Sequence, residues 1–408
     1  MTSFIRSITP EKGARFLGLM LVAWQPFTSG ARLPSVLLLL LGAWLLFHKR
    51  IDLGERAVRR LAIVFLLLLG PILLSLPGSF NPTGTASVAL VLALFFVTGL
   101  GLMHGLRTVE DHAWLQRWLS IVLAIWLADG FIQLLLGRDP LGVPMGSDGR
   151  MMGPFPDNLH FGLFMTVLMP IMLWRMATDR PLAALAFIAL IGFVAGMSGA
   201  RGNILFYLLG VATLLPRFSW LYRAFIMVAL IAGIAAAISQ SETTAAKFKQ
   251  FDTAGEPSLF QKLDHMLSGR MIIWETAGEM LKDRPLTGVG TGAFADAYDH
   301  YATRPEDPFR SGGGYEGGVY HAHQMYVSVA AESGLIGLAG LLAVIALLVR
   351  WYLLAAPECR RLAAPYAASL AVIAFPLQSQ PILFRPWWFP VVLLLLSGFI
   401  IALQPKKI

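Results

Sequence analysis

His321 and His323 stand two residues apart in Tyr320-His321-Ala322-His323-Gln324, where a long polar stretch of chain gives way to an apolar one. Histidine is the side chain whose charge changes nearest neutral pH, so at a water–lipid boundary it can take a proton from a hydroxyl. His323, at the N-terminal edge of the apolar run, is the candidate base, kept neutral by the field of the helix it opens. The plainer reading is a helix cap or a place in an aromatic belt with Tyr320 and Tyr326. His321, Tyr320 and Gln324 are candidates to touch a substrate or to position the loop. Gly334 and Gly337 follow at the start of the apolar helix. Glu332 lies nine residues beyond His323, about 13 Å along a helix axis, too far to orient it directly. A basic partner on another helix suits it better.

Two arginines sit in related settings. Ser198-Gly199-Ala200-Arg201-Gly202-Asn203 reads as a tight turn, and Ser268-Gly269-Arg270 repeats the small-small-basic pattern where an amphipathic helix begins. A guanidinium beside glycines can approach a diphosphate and grip it with two parallel hydrogen bonds, and a helix N-terminus adds backbone donors. Arg201 and Arg270 are therefore candidates to neutralise a diphosphate leaving group. Head-group anchoring of Arg201, and an ion pair of Arg270 with Glu275 or Asp264, are the simpler alternatives. Asn203 beside Arg201, and Asp157 and Asn158 in Pro154-Phe155-Pro156-Asp157-Asn158-Leu159-His160, are candidate sugar contacts; Asp157 or Asn158 would serve equally as a helix cap. Asp296, Asp299, Glu306 and Asp307 come nearest to a magnesium-binding set, yet form no convincing cage. Neither a metal nor a cofactor is expected.

These residues need elements to hold them. Twelve apolar runs can be marked off against a hydrocarbon layer of about 30 Å. They cover about 14–28, 34–47, 58–76, 84–104, 113–136, 157–174, 181–197, 202–216, 220–239, 324–349, 362–380 and 387–404. With the N-terminus inside, cytoplasmic segments collect nineteen of the 32 Lys+Arg and the short loops of the opposite face five, an asymmetry that sets the orientation. The remaining eight lie in the long stretch 240–323, outside the cytoplasm, together with twelve of the 24 acidic residues. That stretch has the composition of a small soluble domain folded over the outer mouth of the bundle. Within it, Arg270–Lys282 reads as a helix with Ile273, Trp274, Ala277, Met280 and Leu281 on one face. Gly288–Phe294 and Ser311–Gly318 are glycine-rich and suit a mobile lid.

The expected architecture is an all-α polytopic membrane protein of about twelve transmembrane helices. Residues 1–239 form helices one to nine, 240–323 a periplasmic loop domain carrying part of the active site, and 324–408 helices ten to twelve. The composition agrees: 56% of 408 residues are hydrophobic and only 14% charged, too apolar for a surface in water. The start, MTSFIRSITPEKGARF, reads as a retained cytoplasmic tail, and the single Cys359 rules out an internal disulfide. No nucleic-acid partner is expected.

His323-Gln324, nine residues, Gly334, two residues, Gly337 resembles the His-[Asn/Ser/Gln]-x9-Gly-x2-[Gly/Thr/Tyr] signature of O-antigen ligases, and Arg201-x3-Leu205 their Arg-x3-Leu signature. Ala331-Glu332-Ser333-Gly334 is similar to a stretch shared with O-antigen polymerases and protein O-oligosaccharyltransferases. The resemblance implies metal-independent, inverting glycosyl transfer in the inner membrane of a Gram-negative bacterium, with the site facing the periplasm. The donor would be O-antigen on undecaprenyl diphosphate and the acceptor the lipid A-core oligosaccharide. His323 would be the base, with Arg201 and Arg270 on the diphosphate. A polymerase or protein O-oligosaccharyltransferase of the same superfamily is the first alternative. A transporter of lipid-linked glycan is the second; its one supporting residue is Asp129, within the fifth run.

Overall fold

The structure, a computed structural model, describes residues 9–27, 30–147, 149–156, 160–240, 270–305, 307–311, 319, 321–376, 385 and 387–404. Fifteen α-helices and no β-strand occur among them: α1 Pro10–Ala23, α2 Arg32–Phe47, α3 Arg56–Ser75, α4 Pro82–His104, α5 Val109–Leu136, α6 His160–Leu173, α7 Met176–Asp179, α8 Pro181–Met197, α9 Arg201–Leu214, α10 Trp220–Gln240, α11 Arg270–Asp283, α12 Phe294–Tyr301, α13 Met325–Leu353, α14 Pro357–Ile373 and α15 Phe389–Ala402. A helix lies under each of the twelve apolar runs. Among the described residues four helical stretches are long and apolar enough to cross a membrane: Arg56–Gly78, Pro82–His104, Val109–Leu136 and Met325–Leu353. The chain is a multi-pass membrane protein.

Burial explains why some of the other helices are short. α6 and α15 have 14 residues each, and essentially every side chain from Phe161 to Leu173 and from Phe389 to Ala402 is buried. A helix apolar on every side belongs inside a bundle. Both are enclosed by other helices, so their length need not match the lipid. Around them, helices approach through small residues, as membrane interfaces require. A Cβ on Gly42 of α2 would fall 2.2 Å from the Val97 carbonyl oxygen of α4, and one on Gly101 would fall 2.4 Å from that of Leu38. At one end of the bundle Arg15 bonds Asp111 at 2.6 Å and Arg107 bonds Glu55 at 3.2 Å. The loop after α5 is shaped by buried Gln133, whose Oε1 accepts the Met152 and Gly153 amides, both at 2.9 Å.

A second, smaller core joins Ile273, Ala277 and Met280 of α11 to Val289, Phe294, Tyr298, Val319, Ala322 and Ala331. It rests on a break in α13 at Gly334, whose backbone (φ 65°, ψ −167°) leaves the helix. The hydrogen bonds that a regular helix would make there are exchanged for bonds to the preceding loop. Leu335 N–H goes to Pro285 O at 2.8 Å and Ile336 N–H to Leu286 O at 3.3 Å. The vacated carbonyls of Ala331 and Glu332 accept the amides of Val289 at 3.0 Å and Gly290 at 2.9 Å. Every main-chain group thus keeps a partner, as burial demands.

Two sequence expectations are corrected here. Gly334 does not mark the start of the helix but interrupts it ten residues in. Gly288–Phe294 is no lid: Val289, Thr291 and Phe294 are buried, and the segment is bonded into the break. Glycine is needed because a Cβ on Gly288 (φ +65°) would lie 2.4 Å from Ala331 O. The other glycine-rich stretch lies, from residue 312 to 318, outside the described residues.

Candidate functional site

Four residues preceding α13 are fixed one by one. His323 adopts φ +52°, one of two non-glycine residues in the left-handed region among those described, where an L-residue is strained. Its N–H donates to Nδ1 of His321 at 3.0 Å, and the two imidazole rings meet edge to face, 4.1 Å between centroids. Between them Ala322 is fully buried. Its carbonyl accepts Trp274 Nε1–H at 2.8 Å and its N–H donates to Ser328 Oγ at 3.2 Å. Gln324 is the N-cap of α13: its Oε1 accepts the Val327 amide at 2.6 Å, while its Nε2–H reaches the Pro376 carbonyl. Tyr326 donates to the Ala374 carbonyl. The start of α13 is thereby clamped to the end of α14.

Trp274 stands one helical turn after Arg270 on α11, so the helix that carries the arginine is also the one that holds the histidine loop. Burial, then the neighbouring charges of His323, Arg385 and Arg270, push the His321 pKa down to about 3. His321 is therefore neutral at any working pH. The same field shows that Arg270, His321, His323 and Arg385 share one locality. Arg385 was missed in the sequence, where it counts only as one of five basic residues in outer loops. Its carbonyl accepts the Trp388 and Phe389 amides at 3.0 and 2.8 Å, where α15 begins. It also faces Glu332, whose carboxyl accepts the backbone amides of Gly292 and Phe294. Glu332 therefore has a basic neighbour from another element.

Other candidates are placed differently. Gln324 was expected at the substrate, but the fold uses both ends of its amide. Asn203 is 1% exposed and donates to Ser198 Oγ at 2.9 Å, wedged where a Cβ on Gly162 would be 2.5 Å from its Nδ2. Buried there, it ties the start of α9 to the end of α8 against α6. Arg201 is the first residue of α9; its side chain lies outside the described residues, as do Asp157, Asn158 and Tyr320. Arg150 lies against Gly199, two residues before Arg201, where a Cβ would meet its Nε at 2.4 Å. At the entry of α6 the His160 ring stacks on Trp387 at 3.8 Å, two residues from Arg385.

Of the acids considered for magnesium, three are engaged elsewhere, Asp296 with Asn81, Asp299 with the Ser311 amide, and Asp307 with Tyr298 and the Phe309 amide, and Glu306 lies outside the described residues. Among the described residues no group of three His, Cys, Asp or Glu is placed to hold a metal ion. The arrangement combines a constrained histidine with two guanidinium groups whose charge is felt at the neighbouring His321, groups of the kind that move a proton and hold an anion.

Residues 184–342 match the family model Wzy_C, described as O-antigen ligase. The matched stretch contains Arg201, Arg270, His321, His323, Gly334 and Gly337, so the resemblance read from the histidine motif is borne out. No curated protein matches the chain.

Proposed function

We propose, from a chain whose residues 184–342 carry an O-antigen ligase family match, that the protein transfers O-antigen from undecaprenyl diphosphate to the lipid A-core oligosaccharide. The observation that carries this reading is the left-handed His323 held by His321 inside the matched stretch, with the charges of Arg270 and Arg385 acting on His321. His323 takes the proton of an acceptor sugar hydroxyl as that oxygen attacks the anomeric carbon. The bond from that carbon to the diphosphate breaks, with inversion, and the departing diphosphate carries the negative charge that Arg270, Arg385 and Arg201 hold. The apolar bundle takes the polyprenyl tail. The site faces the periplasm from the inner membrane of a Gram-negative cell.

Purified protein given undecaprenyl-diphosphate glycan and lipid A-core, with a gel readout of ladder formation, tests this directly. A second lipid-linked glycan accepted in place of the core would make the protein a polymerase. No ladder with either acceptor would sink the reading.

The arginines have their own test. Arg270→Lys should lose most of the activity, because an ammonium cannot reproduce a two-pronged grip on a diphosphate, and Arg270→Ala should fall by on the order of 10² in kcat. Arg385→Ala should fall by a similar factor. Normal turnover by both alanine variants would move the leaving-group site elsewhere.

Activity should also survive excess EDTA, since guanidinium groups supply the charge a magnesium ion would bring. Loss in EDTA that magnesium restores would contradict this.

A further inference from the structure

We propose that His321 is the positioning residue of the site: its Nδ1, by accepting the main-chain N–H of His323, holds that residue in the left-handed conformation that aims its imidazole. The inference rests on the reading of His323 as the base. A side-chain acceptor bonded to the N–H two residues on is the geometry of an Asx turn, here built with an imidazole at 3.0 Å. A non-glycine residue enters the left-handed region at a cost, although Asn, Asp and His do so more readily than others, and His323 sits there at φ +52°. Ala322 is fixed on both sides, through Trp274 and Ser328, and Gln324 through Val327 and Pro376. Between these two fixed points the His321 ring holds the amide of His323.

The arrangement dictates a tautomer. To accept that N–H, His321 must have an unprotonated Nδ1, so its single proton lies on Nε2. The groups that face it, His323, Arg270 and Arg385, are all basic, and each favours the neutral ring that this bond needs. His321 is thus a side chain whose use depends on its not becoming charged, set beside one whose use is to accept a proton.

Three measurements decide the matter, all on the full-length protein in detergent. His321→Asn keeps an acceptor in the Asx-turn position and should retain kcat to within a few-fold. His321→Leu has comparable bulk and no acceptor; its kcat should fall roughly tenfold to a hundredfold, the scale of releasing one strained residue, with KM for lipid-linked glycan unchanged and the melting temperature close to wild type. Nitrogen NMR of protein labelled at histidine should show His321 with its proton on Nε2. A fully active His321→Leu would overturn the proposal. So would an Asn variant as impaired as the Leu variant, which would mean the imidazole itself meets substrate, or a proton found on Nδ1. The NMR result needs no turnover. If the proposed reaction itself fails, it still decides whether His321 holds the loop.

Discussion

Replacement of His323 by alanine is expected to lower glycan transfer by about two to four orders of magnitude, the usual contribution of a general base, while leaving the protein folded. Both halves of the expectation follow from how the loop is held. The neighbours of His323 are fixed by Trp274, Ser328, Val327 and Pro376, none of which bonds the His323 ring. Removing the ring takes away a proton acceptor and the edge-to-face contact with His321, while those main-chain bonds stay in place. Alanine at a left-handed position is itself strained by about 1 kcal/mol, so a small loss of thermal stability is expected and should be measured alongside. His323→Asn, which suits that backbone, separates the two effects: it should be inactive yet at least as stable as the alanine variant. Ladder formation by either variant at the wild-type rate would remove His323 from the mechanism.

Gly334→Ala should be the most damaging single change to the fold. Two independent costs coincide there. The backbone has φ +65° with ψ near 180°, a region that is essentially glycine-only and costs other residues about 1–3 kcal/mol. The added Cβ would also sit 2.3 Å from the Leu286 carbonyl and 2.5 Å from Thr287 N, atoms of backbone that are bonded into the break. Neither can yield without giving up hydrogen bonds, so a loss of several kcal/mol is expected, about the limit for a single substitution. Reduced yield in the membrane and a markedly lower melting temperature would show it. Gly278→Ala, in α11 with open space around its Cβ, is the control and should be neutral or slightly stabilising. Equal melting of the two variants would mean that the break is not held as described.

Much of the helical layout was legible because apolar runs announce themselves locally: each of the twelve lies over a helix, although membrane length is reached in only four of the described stretches. His323 was legible as well, since a histidine at the edge of an apolar run is unusual in itself. What escaped was set by pairing at a distance. Arg385 lies sixty-two residues beyond His323 in a short outer loop, and no local pattern distinguishes it from an anchoring arginine. Trp274 was assigned to an apolar face for its ring, whereas its indole N–H is what meets Ala322. Asn203 looked like a sugar contact because Asn beside Arg and Gly is polar; burial turned it into a bolt between helices. Gly288–Phe294 looked mobile because glycine permits motion. Here it permits contact, and the two cannot be told apart from composition.

The break in α13 leaves a choice open to the chain. Four main-chain groups, the carbonyls of Ala331 and Glu332 and the amides of Leu335 and Ile336, can be satisfied in either of two complete ways. One is with each other, as an unbroken helix; the other is with residues 285–290, as the structure has them. The broken form makes four such bonds and the unbroken one two, because the Val289 and Gly290 amides and the Pro285 and Leu286 carbonyls would lose their partners there, so docking of the loop is what favours the break. In the unbroken form the first turns of α13, and His323 ahead of them, would point along the remaining helix instead of along the broken direction. The loop that carries Arg270 is synthesised before α13. Its docking at the break would then set the direction of His323, eleven residues away from the glycine that permits it.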